Sequence, residues 1–108
     1  MDLKKYRFET LQIHAGLQPD EATGARGVAI YPTAAYRFKN CDHAARLFEL
    51  SEGGNIYTRL QNPTTTAYEQ RIAALYGAVG ALAVPSGMSA ILIAVLSLAA
   101  EGDNIVAS

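Results

Sequence analysis

The stretch that decides this chain is Tyr57-Thr58-Arg59-Leu60-Gln61-Asn62-Pro63-Thr64. Its first half places a phenol and a guanidinium two residues apart, and such residues point to the same side of an extended chain. A hydroxyl donor beside a planar, permanently charged group suits a phosphate or a carboxylate. Its second half, Asn-Pro-Thr, is typical of a chain stop followed by a helix start. The stretch predicts an anion clamp made by Tyr57 and Arg59. The alternative is a partly buried tyrosine beside a solvated arginine.

The composition indicates one small domain with a local deficit of charge. Of the 108 residues, 50% are hydrophobic and 18% are charged, whereas about 25% charged residues is typical of a soluble protein. Residues 78–100 contain no charged side chain. We therefore expect this segment to be buried, although the chain offers little other surface to cover it.

Several classes of function are disfavoured by the remaining composition. The net charge is −1 and no basic cluster occurs, so a nucleic-acid partner is not expected. His14 and His43 have no neighbours at metal-ligand spacing, and His43 is predicted to lie on the surface. Cys41 is the single cysteine, which excludes an internal disulfide and fits a reducing compartment. The N-terminus lacks the apolar region of a signal peptide, and the apolar run 88–100 is shorter than the ~20 residues that span a membrane. We expect a soluble, cytoplasmic protein.

The first half of the chain is predicted to be largely irregular. Residues 1–40 are interrupted by Pro19, Gly24, Gly27 and Pro32, and a long irregular arm more often lies across another surface than inside a compact domain. Residues 20–24 are predicted to form a turn, and residues 28–31 a short extended piece. A short helix is predicted over residues 42–50, with Asp42 as its N-cap.

The second half has the pattern of alternating helices and strands. A helix is predicted to start at a capping box made by Thr66 and Glu69 and to stop at Gly77. Residues 81–84 and 105–107 are predicted to be buried strands, and residues 88–100 a helix buried on most sides. This order indicates the start of an α/β layered domain. Because a strand should continue where the chain ends, we expect the sequence to belong to a longer polypeptide.

A second candidate anion site is Ser86-Gly87-Met88, where a predicted strand meets a helix. The first amides of a helix have no intrahelical partner and face an anion favourably. Gly87 lets a ligand approach the backbone, and Ser86 adds a hydroxyl. The simpler interpretation is an ordinary N-cap at Ser86.

Taken together, these motifs resemble a known family. The matching segments, in order, are His14-Ala15-Gly16, Thr23-Gly24-Ala25, Asn55-Ile56-Tyr57-Thr58-Arg59, Asn62-Pro63-Thr64, Glu69 and Ser86-Gly87-Met88. The chain resembles the N-terminal part of the Cys/Met-metabolism enzymes that depend on pyridoxal 5′-phosphate (PLP). Residues 42–48 and 54–59 look most like the O-acetylhomoserine sulfhydrylases. Met88 departs from that branch, where Gln is common, and is more usual in the lyases and synthases.

The resemblance implies a fold and a division of the chain. It implies the aspartate aminotransferase-like fold of PLP-dependent transferases, fold type I. Residues 1–62 would be an arm and short helix that contact the neighbouring subunit, and residues 63–108 would begin the PLP-binding α/β domain. The assembly implied is a dimer of dimers whose active sites are shared between subunits.

The resemblance also implies residue roles. The backbone of Gly87 and Met88, with Ser86 beside them, would bind the cofactor phosphate. Tyr57 and Arg59 would bind the phosphate of the neighbouring subunit's cofactor, and Tyr57 would help to position the amino acid substrate. The Schiff-base lysine of the family lies outside the matching region, since the lysines present are Lys4, Lys5 and Lys39. The chain alone is therefore expected to be inactive.

The activity implied is a γ-replacement, in which O-acetyl-L-homoserine and sulfide or a thiol give homocysteine or methionine and acetate. Cystathionine γ-synthase and cystathionine or methionine γ-lyase remain alternatives within the family. A non-catalytic segment that only mediates oligomerisation is the alternative of another class.

Overall fold

The computed structural model describes residues 5–107, and the fold of this part is helical. Its elements are α1 (Phe8–His14), α2 (Cys41–Phe48), α3 (Pro63–Tyr76) and α4 (Gly87–Leu98). The β contact recorded between these helices is an isolated antiparallel bridge that joins Ala35 to Tyr57. The chain segment that carries the candidate clamp is thus held next to the N-terminal arm.

Helix α3 begins earlier than the sequence pattern predicts. Asn62 is its N-cap, and the Asn62 side-chain oxygen accepts a hydrogen bond from the Thr64 amide at 2.9 Å. Pro63 occupies the first turn, where its fixed φ and missing N–H do no harm. Thr66 already lies inside the helix, because its amide donates to the Asn62 carbonyl at 2.8 Å. The capping box at Thr66 was therefore wrong, whereas the stop at Gly77 is confirmed by its left-handed φ of 63°.

Helix α2 is capped one turn earlier than expected as well. The Asn40 side chain accepts a hydrogen bond from the His43 amide at 2.8 Å, so Asn40 and not Asp42 is the N-cap. Leu47 is the buried residue of this helix, with 2% of its surface exposed. A Cβ added at Gly54 would lie 2.8 Å from the Leu47 Cδ2 atom. The glycines that follow α2 thus let the chain fold closely over Leu47.

The arm contains a helix that the sequence pattern did not predict. Helix α1 has no side-chain cap hydrogen bond, and α1 is stabilised instead by contact with α3. The Arg71 Nε atom donates a 2.8 Å hydrogen bond to the carbonyl of Ala15, which is 1% exposed. Gly16 follows with a φ of +69°, and an added Cβ would meet the Ala67 carbonyl oxygen at 2.5 Å. The His-Ala-Gly motif therefore lets the arm approach the backbone of α3.

A second tie joins the arm to the start of α3. The Thr64 hydroxyl accepts a 3.0 Å hydrogen bond from the Tyr31 amide and donates a 2.9 Å bond to the Ala29 carbonyl. Residues 28–31 form no strand, because a single threonine side chain and not a neighbouring strand satisfies their backbone. The predicted turn at residues 20–24 is confirmed by a 2.7 Å bond from the Gly24 amide to the Asp20 carbonyl.

The last part of the described chain differs most from expectation. Residues 81–84 and 105–107 form no strands within the range 5–107, because a parallel strand needs a neighbour that these residues do not supply. Helix α4 was expected to be buried on most sides, yet Met88 is 74% exposed and Leu98 89% exposed. Its apolar character is as predicted, but no other described element covers it.

The described residues do not form a compact core of their own. Ala15 and Leu47 are their buried apolar residues. The radius of gyration is 17.3 Å, whereas a compact domain of this length would have a radius of about 13 Å. Among residues 5–107 there is no helix with the length and apolarity needed to cross a membrane.

Candidate functional site

Tyr57 and Arg59 are brought together as the sequence predicts, although by a different backbone route. The Arg59 Cζ atom lies 5.4 Å from the centroid of the Tyr57 ring, within cation–π distance. Residues 58–60 form a turn and not an extended strand: the amides of Leu60 and Gln61 both donate to the Tyr57 carbonyl, at 2.9 and 3.0 Å. The turn places the phenol and the guanidinium side by side.

The pair is accessible and its positive charge is not neutralised by the described chain. Tyr57 is 39% exposed, and Arg59 is also exposed. Within residues 5–107, the carboxylate that pairs with a basic side chain in a recorded ion pair is Glu52, which contacts His43 and Arg46. Arg59 is therefore free to bind an anion that comes from outside this part of the chain.

The second candidate site lies at the start of α4, and Ser86 acts there as an N-cap. The Ser86 Oγ atom accepts a 3.1 Å hydrogen bond from the Ser89 amide, and the two serine hydroxyls lie 2.9 Å apart. The simpler interpretation of Ser86 is thus confirmed, and this cap occupies the third amide of the helix.

The same geometry leaves two amides of α4 available. Neither Gly87 nor Met88 has an acceptor for its backbone N–H among residues 5–107, since both lie in the first turn. A Cβ added at Gly87 would have nothing within 4 Å, so the approach to these amides is open. Two adjacent N–H donors at the positive end of a helix dipole form a donor set that fits a phosphate.

The turn at Ser86 is supported from α3. The Glu69 Oε1 atom accepts a 2.8 Å hydrogen bond from the Ala83 amide. A hollow of about 250 Å³ beside it is lined by Glu69, Ile72, residues 81–84, Ser86 and Gly87 among others. Glu69, which the sequence pattern placed in a capping box, instead holds the segment that leads into the candidate phosphate site.

The two candidate sites do not share a cavity. Tyr57 and Arg59 line two hollows of about 440 and 530 Å³, and neither hollow includes Ser86 or Gly87. One of the two hollows is apolar in character, with Tyr36, Phe38, Phe48 and Leu60 among its lining residues. A single copy of the described chain therefore presents the clamp and the helix start as separate donor sets.

His43 is not the surface residue that the pattern predicted. Its side chain is 14% exposed, and its ring meets the Phe38 ring edge-on at 6.3 Å. The Lys39 amide donates to the His43 Nδ1 atom at 3.2 Å, and the Nε2 atom lies 3.6 Å from the Glu52 carboxylate. A hydrogen bond from Arg46 to Glu52, 2.8 Å long, lowers the pKa of Glu52 below its ordinary value.

The other polar candidates have structural roles. The Thr23 hydroxyl donates to the Asp20 carboxylate at 2.5 Å and lowers the pKa of Asp20, which makes Asp20 a turn residue. Cys41 is an exposed free thiol. No cluster of three or more His, Cys, Asp or Glu side chains in the described range is arranged to hold a metal ion.

Asn62 is the residue of this region that sequence reasoning understated. It is 4% exposed, and besides capping α3 it donates hydrogen bonds to the Tyr31 carbonyl and the Thr58 hydroxyl. An asparagine before a proline signals the cap, but the other two partners lie elsewhere in the fold.

Known proteins are similar to this chain over nearly its whole length. Homocysteine synthase of Schizosaccharomyces pombe is 51% identical over 108 residues, which are 100% of this chain and 25% of that protein. O-acetyl-L-homoserine sulfhydrylase of Leptospira meyeri is 52% identical over 105 residues, which are 97% of this chain and 24% of that protein. The chain thus spans about a quarter of the length of these curated relatives.

A solved structure and a family profile agree with these relatives. A crystal structure from Campylobacter jejuni, described as an O-acetylhomoserine (thiol)-lyase with N′-pyridoxyl-lysine-5′-monophosphate, matches with a TM-score of 0.85 and 41% identity, over 92% of this chain and 24% of that one. This match confirms the predicted fold, an N-terminal arm followed by the start of the large domain of a PLP-dependent transferase. The profile described as "Cys/Met metabolism PLP-dependent enzyme" matches residues 9–108, and the chain therefore belongs to the Cys/Met metabolism family of PLP-dependent enzymes.

Proposed function

We propose that the polypeptide to which this chain contributes is an O-acetyl-L-homoserine sulfhydrylase, which converts O-acetylhomoserine and sulfide or a thiol into homocysteine or methionine and acetate. The observation that carries the proposal is the pair of separate phosphate-type donor sets in a chain that belongs to a PLP-dependent family. Relatives at 51% and 52% identity, named homocysteine synthase and O-acetyl-L-homoserine sulfhydrylase, support the branch.

In this proposal the start of α4 holds the cofactor phosphate of its own subunit. The free amides of Gly87 and Met88 donate to phosphate oxygens, and Ser86 shapes the turn. Pyridoxal phosphate, when bound, supplies the electron withdrawal that allows the γ-substituent of the amino acid to leave. The chain's own residues contribute binding and orientation.

Tyr57 and Arg59 hold the phosphate of a neighbouring subunit in this proposal. The absence of a shared hollow within one chain supports that arrangement, because the two donor sets then meet across an interface. Tyr57, at the rim of both hollows, also orients the amino acid substrate. We propose a homotetramer, with residues 1–62 contacting the partner and residues 63–108 beginning the cofactor domain.

Two further statements belong to the same proposal. The lysine that binds the cofactor covalently is contributed by a part of the polypeptide outside these residues, so the isolated chain is expected to be inactive. We place the protein in the cytoplasm, in keeping with the free thiol of Cys41.

The role of Arg59 is tested by replacing it with alanine in the full-length polypeptide. We expect the PLP dissociation constant to rise by the equivalent of about 2 kcal/mol, as for other hydrogen bonds to charged groups. Arg26, an exposed arginine of the arm, provides the matched control, and Arg26→Ala should leave the constant unchanged. An Arg59→Ala protein that binds PLP as tightly as the wild type would remove Arg59 from the site.

The specific observation that favours a second candidate is Met88. Its side chain is 74% exposed and points away from any described partner, in a position where the sulfhydrylases commonly have glutamine and the γ-lyases and γ-synthases methionine. Product analysis separates these reactions. Homocysteine formed from O-acetylhomoserine and sulfide supports the sulfhydrylase, whereas cleavage of cystathionine or methionine without that product supports a γ-lyase.

A non-catalytic oligomerisation segment is the candidate of another class, and the exposed apolar surface of α4 favours it. Absorbance spectroscopy of the full-length polypeptide with added PLP distinguishes it. A visible band of protein-bound cofactor supports the enzyme, and no band after PLP addition supports the oligomerisation segment.

A further inference from the structure

Thr58 lies between the two residues of the clamp and is fixed on both sides by hydrogen bonds. Its amide donates to the Ala34 carbonyl at 2.9 Å, and its hydroxyl donates to the Thr33 carbonyl. The same hydroxyl accepts a 3.1 Å bond from the Asn62 side-chain nitrogen. The backbone between Tyr57 and Arg59 is therefore tied at once to the arm and to the start of α3.

Asn62 makes this tie in addition to capping α3, with different atoms. Its side-chain oxygen accepts from the Thr64 amide, which is the cap. Both protons of its side-chain nitrogen go elsewhere, to the Tyr31 carbonyl at 3.0 Å and to Thr58. A carbonyl can only accept, so the contact with Tyr31 requires the nitrogen to face the arm. The cap alone would need only an oxygen, and aspartate or serine would serve equally well.

We propose that Asn62 and Thr58 are positioning residues that orient the Tyr57–Arg59 pair for phosphate binding. This inference rests on the proposed function, because it assumes that the pair binds the cofactor phosphate. The turn at residues 58–60 carries both side chains, so a change in the Thr58 backbone moves the phenol and the guanidinium together. The fixed partners on the arm and on α3 hold that backbone in one arrangement before the phosphate arrives.

The burial of the network supports this role. Asn62 is 4% exposed, and a buried polar group that loses its partner is destabilised because water cannot replace the lost hydrogen bond. Thr58 is exposed, so replacing it does not disturb a core. The hydroxyl of Thr58 can therefore be removed while the packing around Asn62 stays in place.

The experiment compares Thr58→Val with Thr58→Ser in the full-length polypeptide. Valine keeps the shape of threonine without the hydroxyl, and serine keeps the hydroxyl. We expect the PLP dissociation constant of Thr58→Val to rise about tenfold, the effect of losing hydrogen bonds in such a network. We expect Thr58→Ser to stay near the wild-type value. Asn62→Asp, which keeps the cap oxygen and loses both donors, should match or exceed the effect of Thr58→Val.

Thr64→Val is the matched control for a general loosening of the arm. It removes the bonds to the Tyr31 amide and the Ala29 carbonyl but leaves Thr58 untouched. We expect its PLP dissociation constant to stay near the wild-type value. An equal rise in Thr64→Val and Thr58→Val would show that loosening of the arm is sufficient, and would overturn the positioning role.

A double-mutant cycle tests whether Thr58 acts through its neighbours. In a Tyr57→Phe, Arg59→Ala background, adding Thr58→Val should not weaken PLP binding further, because the groups that it orients are gone. A full additive loss would overturn the inference. If Thr58→Val binds PLP normally while Arg59→Ala binds it weakly, the positioning role fails and the proposed function stands. If Arg59→Ala itself binds normally, the proposed clamp fails first.

Discussion

Replacing Gly16 with alanine should detach α1 from α3, and the structure gives the size of the effect. The φ of Gly16 is +69°, and the new Cβ would lie 2.5 Å from the Ala67 carbonyl oxygen and 2.9 Å from the Arg71 nitrogen. Both are backbone atoms of a helix and cannot rotate away, so the arm must move. The left-handed conformation costs an alanine about 1 kcal/mol, and separation breaks the charged Arg71–Ala15 hydrogen bond, worth about 2 kcal/mol. We expect a local destabilisation of about 3 kcal/mol.

Gly24→Ala separates the two contributions. Gly24 has the same φ of +69°, but nothing lies within 4 Å of an added Cβ, so only the conformational cost of about 1 kcal/mol applies. Hydrogen exchange of peptides that cover α1 reports the local opening. Gly16→Ala should accelerate exchange in α1 by about 100-fold, which corresponds to 3 kcal/mol, and Gly24→Ala should not affect α1. Equal exchange of α1 in the two variants would refute the close contact with α3.

Two further predictions concern the carboxylates that hold loops. Glu69→Ala should leave the Ala83 amide without an acceptor and raise its hydrogen exchange by about tenfold, whereas Glu69→Gln retains an oxygen and should preserve protection; equal exchange in both would contradict the bond. The hydrogen bond from Arg46 lowers the pKa of Glu52 in the folded state, so its stabilisation is present at neutral pH and is lost as the pH falls through that lowered value. Thermal unfolding of wild type should therefore lose more stability in acid than Glu52→Gln, and identical pH profiles would exclude the pair.

The helix ends illustrate how far the sequence predicts this fold. Gly77 was correctly predicted because a left-handed stop needs only a local backbone geometry. Thr66 misled because the capping-box pattern competes with Asn62-Pro63, where the proline already fixes the first helical turn. Helix α1 escaped detection because its stability comes from contact with α3 and not from a cap of its own.

The candidate site shows the same division between local and distant causes. The pairing of Tyr57 with Arg59 follows from their spacing and was predicted. The link from Asn62 to the Tyr31 carbonyl joins residues 31 positions apart, and no local pattern specifies such a contact. The wrong placement of His43 on the surface has the same origin, since Phe38 and Glu52 enclose it from outside its helix. Whether Tyr57, Arg59, Gly87 and Met88 bind PLP stays a prediction.

The exposed apolar side chains of α4 have a consequence for the protein before and after assembly. Val95 is 37% exposed and Leu96 66% exposed, on a helix that carries no charge. Until another surface covers this helix, the newly made polypeptide presents a patch that chaperones bind and that promotes aggregation. Subunits that lose this cover should aggregate before they can reassemble. The working lifetime of the protein would then be set by the rate at which α4 is uncovered, and not by an equilibrium free energy of unfolding.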